Sequence, residues 1–455
     1  MRGRAGAAAA ALLAAAACAP ASAAAHGLGG RADLPVPAWL FSWAAGAVLV
    51  VSFLGIAALW RTPRLEVARE RALAGAPRAL EVLAGAVGVA LFALVVVSGL
   101  AGSADPLDNL APTAIFVAFW VGVPLASALV GDVFRPLNPW RALARLGAWL
   151  AGRARGRPLR APSAYPERLG RWPAAAGVLA FGWAELAYPG RDVPARLAGM
   201  AMAYAAVQLA GMALFGIERW TSRADAFAVA FGMLGRIGPL AVRDGRLVLR
   251  RPLAGLARLD PVPGTAGVAC ALIGVTTFDG ASNGELWAKA RPGLADAVGG
   301  TAADTLGLLV AAAAVGGLYL LGVAGVRGAV RRPPAGLADR FAHSLVPIGL
   351  AYALAHYFSL LVFQGQALGG LLADPLGRGQ GPPAIDYGAI GAETIWYVQV
   401  AALVAGHVAG LVLAHDRALA LFPRGREAVR SQYWMLAVMV GYTGLGLWLL
   451  SAVTT

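Results

Sequence analysis

Long apolar segments alternate with short polar segments along almost the whole chain. Most of the apolar segments approach the roughly 20 residues that a helix needs to cross the hydrocarbon core of a bilayer. Inside lipid, backbone groups must be satisfied within the segment, which favours helices. The pattern therefore predicts an all-α, polytopic transmembrane helix bundle with about ten spans, at 38–60, 80–101, 112–130, 173–188, 194–215, 264–278, 300–326, 341–363, 392–414 and 433–453.

The first 25 residues have the pattern of a secretory signal peptide. Two arginines precede a run of Ala and Leu, and small residues at its end offer a cleavage site. Cleavage after Ala25 would make His26 the first residue of a single transmembrane helical domain over 26–455. Cys18 offers a lipoprotein alternative.

Basic residues mark every second segment between the spans. Thirty of the 38 Lys and Arg residues lie in five such segments, among them the long segments 131–172 and 216–263. The positive-inside rule places these segments in the cytoplasm and both termini outside the plasma membrane of a bacterium. Within the second segment, 226–240 is apolar but short and predicts an interfacial helix. Asp244-Gly245 predicts a hairpin turn.

Composition supports a membrane protein and excludes two other classes. The chain is 59% hydrophobic and only 14% charged. Its net charge of +14 does not indicate nucleic-acid binding, because the arginines flank apolar spans instead of forming one patch. Anionic lipid headgroups are the partners that this distribution favours. No GxxxxGK[ST] loop is present, so an ATP-driven pump is not indicated.

Histidines within the spans are the first candidates for chemistry, because ionisable residues are costly in a membrane. His343 and His356 in the eighth span lie about 20 Å apart along a helix, too far to share one ion. His407 enters the same inner half as His343, so these two form a candidate metal site or proton relay. The alternative is that each histidine bonds a neighbouring helix. His415 is interpreted as a cation at a helix end.

Carboxylates at the outer ends of the spans are the candidate catalytic groups. Asp279 and Glu393 lie there, and the alternatives are an ordinary turn at Asp279-Gly280 and a helix-dipole partner in Glu393. His26 offers an α-amine and a ring nitrogen to one ion, a chelate suited to copper. The most compact predicted site holds a zinc or copper ion on His356 with Asp279 or Glu393, assisted by His26. We expect three of these four side chains within about 12 Å of one point.

Four stretches together resemble the actinobacterial polytopic membrane proteins labelled fenitrothion hydrolase. They are His26-Gly27-Leu28, the run from Asp132 to Trp140, Thr277-Phe278-Asp279-Gly280, and the eighth span from His343 to Gln366. The resemblance covers most of the chain. It implies hydrolysis of an apolar organophosphorus triester to a phenol and a dialkyl phosphorothioate. Such hydrolysis usually needs a metal-activated water.

Three functional classes follow. The first is a membrane hydrolase of organophosphorus triesters, with or without a metal, acting in the outer half of the bundle. The second is a transporter or metal-handling permease that uses the same polar residues as its path. The third is a non-catalytic subunit of a membrane complex, and a companion subunit is compatible with all three.

The topology predicts that the carboxyl terminus lies outside the cell. Alkaline phosphatase fused after Thr455 is therefore expected to be active, since this enzyme matures only after export. Phosphatase activity in whole cells measures this. The comparison is a fusion within the arginine-rich segment 131–172, which is expected to be inactive. An inactive terminal fusion beside an active loop fusion would invert the topology.

Overall fold

The computed structural model describes residues 38–158, 160–379, 381–422 and 425–452, and within them helices dominate. The α-helices are α1 (Ala38–Leu59), α2 (Arg78–Ala101), α3 (Leu110–Thr113), α4 (Val123–Val130), α5 (Phe134–Leu137), α6 (Pro139–Arg155), α7 (Trp172–Leu186), α8 (Pro194–Phe215), α9 (Ile217–Arg223), α10 (Ala226–Gly235), α11 (Ala254–Ala257), α12 (Thr265–Ser282), α13 (Glu285–Val298), α14 (Gly300–Ala329), α15 (Leu337–Phe341), α16 (Leu345–Gln364), α17 (Ala367–Ala373), α18 (Ala392–Leu421) and α19 (Gly425–Ala452). The π-helix Ala114–Gly122 joins α3 to α4, and 3₁₀ helices lie at Glu167–Leu169 and Ala342–Ser344.

The helices confirm an all-α, multi-pass membrane protein. Seven described segments are long and apolar enough to cross a membrane. They are Arg78–Ala101, Leu110–Val130, Pro194–Phe215, Thr265–Ser282, Gly300–Ala329, Leu337–Gln364 and Ala392–Leu421. The three other predicted spans coincide with α1, the 15-residue α7, and α19. The count of ten spans and the signal peptide stay predictions, the latter because its residues lie outside the described part.

Helix α12 is the most buried of the seven segments, and it packs against α7, α14 and α16. Small residues allow these contacts. A Cβ on Gly274 would lie 2.6 Å from Cα of Ala312, so only glycine permits this approach of α14 to α12. Gly406 plays the same part in α18, where an added Cβ would lie 2.2 Å from Cβ of Ala351 in α16. Close packing of this kind is the usual source of helix association in lipid.

The eighth predicted span is broken near its inner end. Helix α15 is followed by the 3₁₀ turn Ala342–Ser344, and α16 begins only at Leu345. Pro347 lies in the first turn of α16, where its missing N–H is tolerated. The interruption is a 3₁₀ turn that contains His343.

Helix α10 is buried in the bundle, so the prediction of an interfacial helix was wrong. Eight of its ten residues are buried. Phe227 and Phe231 pack edge-on or tilted against rings of the π-helix and of α7, including Trp120 and Phe181. An apolar stretch of ten residues has the same composition whether lipid or protein covers it, and here protein covers it on all sides.

A carboxylate anchors the start of α10. Asp225 caps the helix by accepting a bond from the N–H of Ala228 at 3.1 Å. The same carboxylate accepts bonds from the Asn138 amide at 3.0 Å, the Trp140 indole at 2.6 Å and the Tyr204 hydroxyl at 2.9 Å. The segment from Asp132 to Trp140 thus serves to hold α10 in place.

A small antiparallel sheet lies among the basic inner segments, with strand order β1 (Arg71–Gly75), β3 (Arg246–Leu249), β2 (Leu240–Arg243). The predicted hairpin is present, and Asp244 and Gly245 have φ of 50° and 71°, as a type I′ turn requires. Strand β1 was not predicted. Neither was α13, an exposed amphipathic helix that follows α12.

Arginines on this side are paired as well as exposed. Arg141 in α6 is 2% exposed and bonds Glu81 at 2.9 Å and Glu218 at 2.8 Å. Burial alone would raise the pKa of Glu218, but the guanidinium groups of Arg141 and Arg135 hold that pKa below its usual value. This network ties α2, α6 and α9 together.

Candidate functional site

Asp279 and His356 are in direct contact. The Nε2 atom of His356 lies 2.9 Å from Oδ2 of Asp279. Asp279 is 1% exposed, on the last turn of α12, and the His356 side chain is 9% exposed, in the middle of α16. Helix α12 continues to Ser282, so the alternative of a turn at Asp279-Gly280 was wrong. The continued helix is what turns the carboxylate towards α16.

A second buried carboxylate lies beside this pair. Glu185 is on the last turn of α7 and is 7% exposed. Its Oε2 atom is buried and has no hydrogen-bond partner among the described residues. Glu185 is close enough to Asp279 for the two charges to interact. Three helices, α7, α12 and α16, therefore bring two acids and one imidazole together.

Hydroxyl and indole groups surround the acids. Tyr357 lies beside Asp279 and Trp120, and its ring packs edge-on against that of His356 with centroids 4.8 Å apart. The Tyr357 hydroxyl and the Trp120 indole nitrogen are buried and lie close to each other. Trp120 belongs to the π-helix, a distortion that is frequent at functional sites.

The inner histidines are bonded to carbonyl oxygens. His343 Nε2 lies 3.3 Å from the Leu413 oxygen of α18, as expected if it joins neighbouring helices. His407 Nδ1 lies 2.7 Å from the Leu403 oxygen of its own helix. His415 bonds the Trp60 oxygen at 2.8 Å and Gln432 at 3.0 Å, so it joins α1, α18 and α19 six residues before α18 ends. His415 therefore does not lie at a helix end, as the sequence interpretation had placed it.

A small cavity lies in the middle of the bundle next to the acid cluster. It has about 20 Å³ of space for the centres of water-sized molecules. Its walls come from α12, α16, α18 and α19, and they consist of Ile273, Thr277, Ile348, Tyr352, Leu403, His407 and Tyr442. Two of these residues carry buried polar atoms without partners among the described residues, the Tyr352 hydroxyl and His407 Nε2.

The other predicted site residues are not in this cluster. Glu393 is exposed in the first turn of α18. His26 lies outside the described residues, so convergence of three of the four predicted side chains stays a prediction. Among the described residues no three His, Cys, Asp or Glu side chains are arranged to hold a metal ion. A zinc or copper site on His356, His343 or His407 stays a hypothesis that needs further ligands.

Glu185 is the member of the cluster that the sequence interpretation did not place in the site. A signal was present, because it is the one acid in an otherwise apolar short span, 173–188. Because Glu185 lies at the predicted outer end of that span, its position did not distinguish it from an exposed carboxylate at a helix end. Only the packing of α7 against α12 shows that it is buried.

The cluster is suited to binding a proton or another cation. Two ionised carboxylates beside a neutral imidazole would leave net negative charge in a medium of low dielectric constant, which costs several kcal/mol per unpaired ion. Two protons shared among Asp279, His356 and Glu185 remove that charge. Histidine next to a carboxylate is also the arrangement that orients an imidazole for general base catalysis.

No family model, curated protein or solved structure matches the chain. Function is therefore inferred from the residues of this cluster.

We predict strong energetic coupling within the pair. In a double-mutant cycle of Asp279→Ala and His356→Ala, the coupling is expected to be about 1 kcal/mol or more, because each single change leaves a buried polar group without its partner. Unfolding titrations in mixed detergent micelles measure it. The control is the exposed pair Glu285–Lys289, for which much weaker coupling is expected. Equal coupling in the two cycles would show that the Asp279–His356 contact is not formed.

Proposed function

We propose that the chain is a membrane transport protein in which Asp279 and His356, with Glu185 beside them, form the proton-exchange site. The observation that carries the proposal is the buried contact of 2.9 Å between Asp279 and His356 inside an apolar bundle. Acid and histidine side chains are rare within membrane helices, and where they occur they mark proton relays and ion paths.

The arrangement gives the site two states that differ by one proton. With a proton on both His356 and Glu185, the imidazolium pairs with the Asp279 carboxylate and the cluster is neutral. Loss of a proton leaves an uncompensated negative charge, which draws in another proton or a cation. Because α7, α12 and α16 each contribute one group, the charge state acts on the packing of three helices at once. A shift in that packing is how proton binding is coupled to transport.

The proposal predicts proton movement that depends on Asp279. Purified protein in liposomes with an entrapped pH dye is expected to take up protons when a potassium gradient and valinomycin make the inside negative. Asp279→Asn keeps the shape of the side chain but cannot exchange a proton, so uptake should fall to that of protein-free liposomes. Glu285→Gln is the control, because Glu285 is an exposed carboxylate on the neighbouring helix α13.

Two results would contradict the proposal. One is wild-type liposomes that take up protons no faster than protein-free ones. The other is Asp279→Asn liposomes that match the wild type. If Asp279→Asn changes neither proton uptake nor the rate in the hydrolysis assay below, the pair has a structural role, as in a non-catalytic membrane subunit.

A second candidate is hydrolysis of organophosphorus triesters, which the resemblance implies. The specific observation in its favour is that Asp279 holds the His356 ring in one orientation. In this mechanism His356 takes a proton from water as the water oxygen bonds to phosphorus, and the phosphorus–oxygen bond to the aryl group breaks, releasing the phenolate. An apolar triester would enter from the outer leaflet. A zinc or copper ion would activate the water further.

The hydrolase candidate predicts release of nitrophenolate from a nitrophenyl dialkyl phosphorothioate by detergent-solubilised protein. Activity should be lost in His356→Ala and Asp279→Asn, since both disrupt the base, and retained in Glu285→Gln. Glu393→Gln tests the exposed candidate Glu393 in the same assay. Absorbance of the phenolate measures the rate, and a wild-type rate equal to that of buffer would exclude this activity.

A further inference from the structure

Tyr352 lies between the acid cluster and His407. On one side, a Cβ added to Gly280 would lie 3.6 Å from the Tyr352 hydroxyl and 3.8 Å from both Nδ1 and Cε1 of His356. Both side chains therefore border one small space above Gly280. On the other side, Tyr352 and His407 line the mid-bundle cavity. The Tyr352 hydroxyl is buried and has no hydrogen-bond partner in the described part of the chain.

The chemistry of His407 fixes which atom is available in that cavity. Its Nδ1 atom is 2.7 Å from the Leu403 carbonyl oxygen, which can only accept, so Nδ1 carries the hydrogen. In the neutral ring Nε2 then carries a lone pair. His407 is 2% exposed, and Nε2 has no partner among the described residues. A buried acceptor of this kind needs a donor, and none in the described part of the chain reaches it.

The cavity is large enough for one water molecule, and its mostly apolar lining includes a few polar side chains. A water requires roughly 10–15 Å³ by this measure and two to four polar partners. The cavity has about 20 Å³, and it offers Tyr352, His407 and Thr277 as partners among apolar walls.

We propose that this cavity binds an internal water and that Tyr352 and the water carry protons between the Asp279–His356 pair and His407. The proton role rests on the proposed transport function, whereas the water site does not. A proton leaves His356 through the space above Gly280 and joins the Tyr352 oxygen, which releases its own proton to the cavity water. That water gives a proton to His407 Nε2, forming an imidazolium. No bond other than those to hydrogen changes.

Flux measurements test the path. Tyr352→Phe removes the relay hydroxyl, and Gly280→Ala fills the space beside His356 with a methyl group at ordinary contact distances. Each is expected to lower proton uptake into liposomes on the order of tenfold, since a positioned proton-transfer group is lost. The controls are Tyr319→Phe, a buried tyrosine bonded to the Ala338 oxygen, and Gly317→Ala, which has open space around it. Both should retain wild-type uptake.

Radiolytic footprinting tests the water separately. A bound internal water produces hydroxyl radicals next to its partners, so brief X-ray exposure should modify Tyr352 although it is buried. Tyr319, which is also buried, should stay unmodified.

The outcomes separate the two proposals. Modified Tyr352 together with loss of flux in both variants supports the path. Wild-type flux in Tyr352→Phe and Gly280→Ala, with loss in Asp279→Asn, overturns the path and keeps the transport function. Unmodified Tyr352 overturns the water site, whatever the flux. Modified Tyr352 with no wild-type flux overturns the transport function and the relay with it, and leaves water binding supported.

Discussion

The cost of an unpaired charge in a medium of low dielectric constant governs this structure. Asp279 and His356 are buried within an apolar bundle, so each requires the other as a partner. The contact forms only if α12 and α16 approach closely, and Gly280, without a side chain, lies at their meeting point. Close approach of α12 to its other neighbour α14 requires Gly274, where an added Cβ would lie 2.6 Å from Cα of Ala312. The packing of small residues and the pairing of charged residues are therefore linked, because both require the helices to approach closely.

Much of the fold was predictable because its signals are local. Hydrophobic length identifies a span without knowledge of its neighbours, and the seven long apolar segments fall where the sequence predicts them. The hairpin at Asp244-Gly245 was predictable for the same reason, since two adjacent residues determine the turn. The break before α16 lies just ahead of a proline in the first turn of that helix, a position at which proline is tolerated. These features need no information from distant parts of the chain.

The parts that sequence reasoning missed depend on contacts between distant segments. Helix α10 was assigned to the membrane surface because ten apolar residues are too short to span, yet Asp225 anchors it inside the bundle through Asn138, Trp140 and Tyr204. Strand β1 forms only because β3 supplies its edge. Glu185 joins the acid cluster through the packing of α7 on α12, which no periodicity in α7 reveals. For the candidate site, the residue types were predictable but their grouping was not.

The partners of the histidines distinguish their roles. His343, His407 and His415 bond carbonyl or amide oxygens, which can stabilise a ring nitrogen but cannot exchange protons with it. His356 instead contacts a carboxylate, which does exchange protons, and a second carboxylate lies next to it. His407 differs from His343 and His415 in one respect, because it lines a cavity that Tyr352 also borders. The sequence interpretation paired His407 with His343 by depth in the membrane, whereas in the structure His407 shares a cavity with Tyr352.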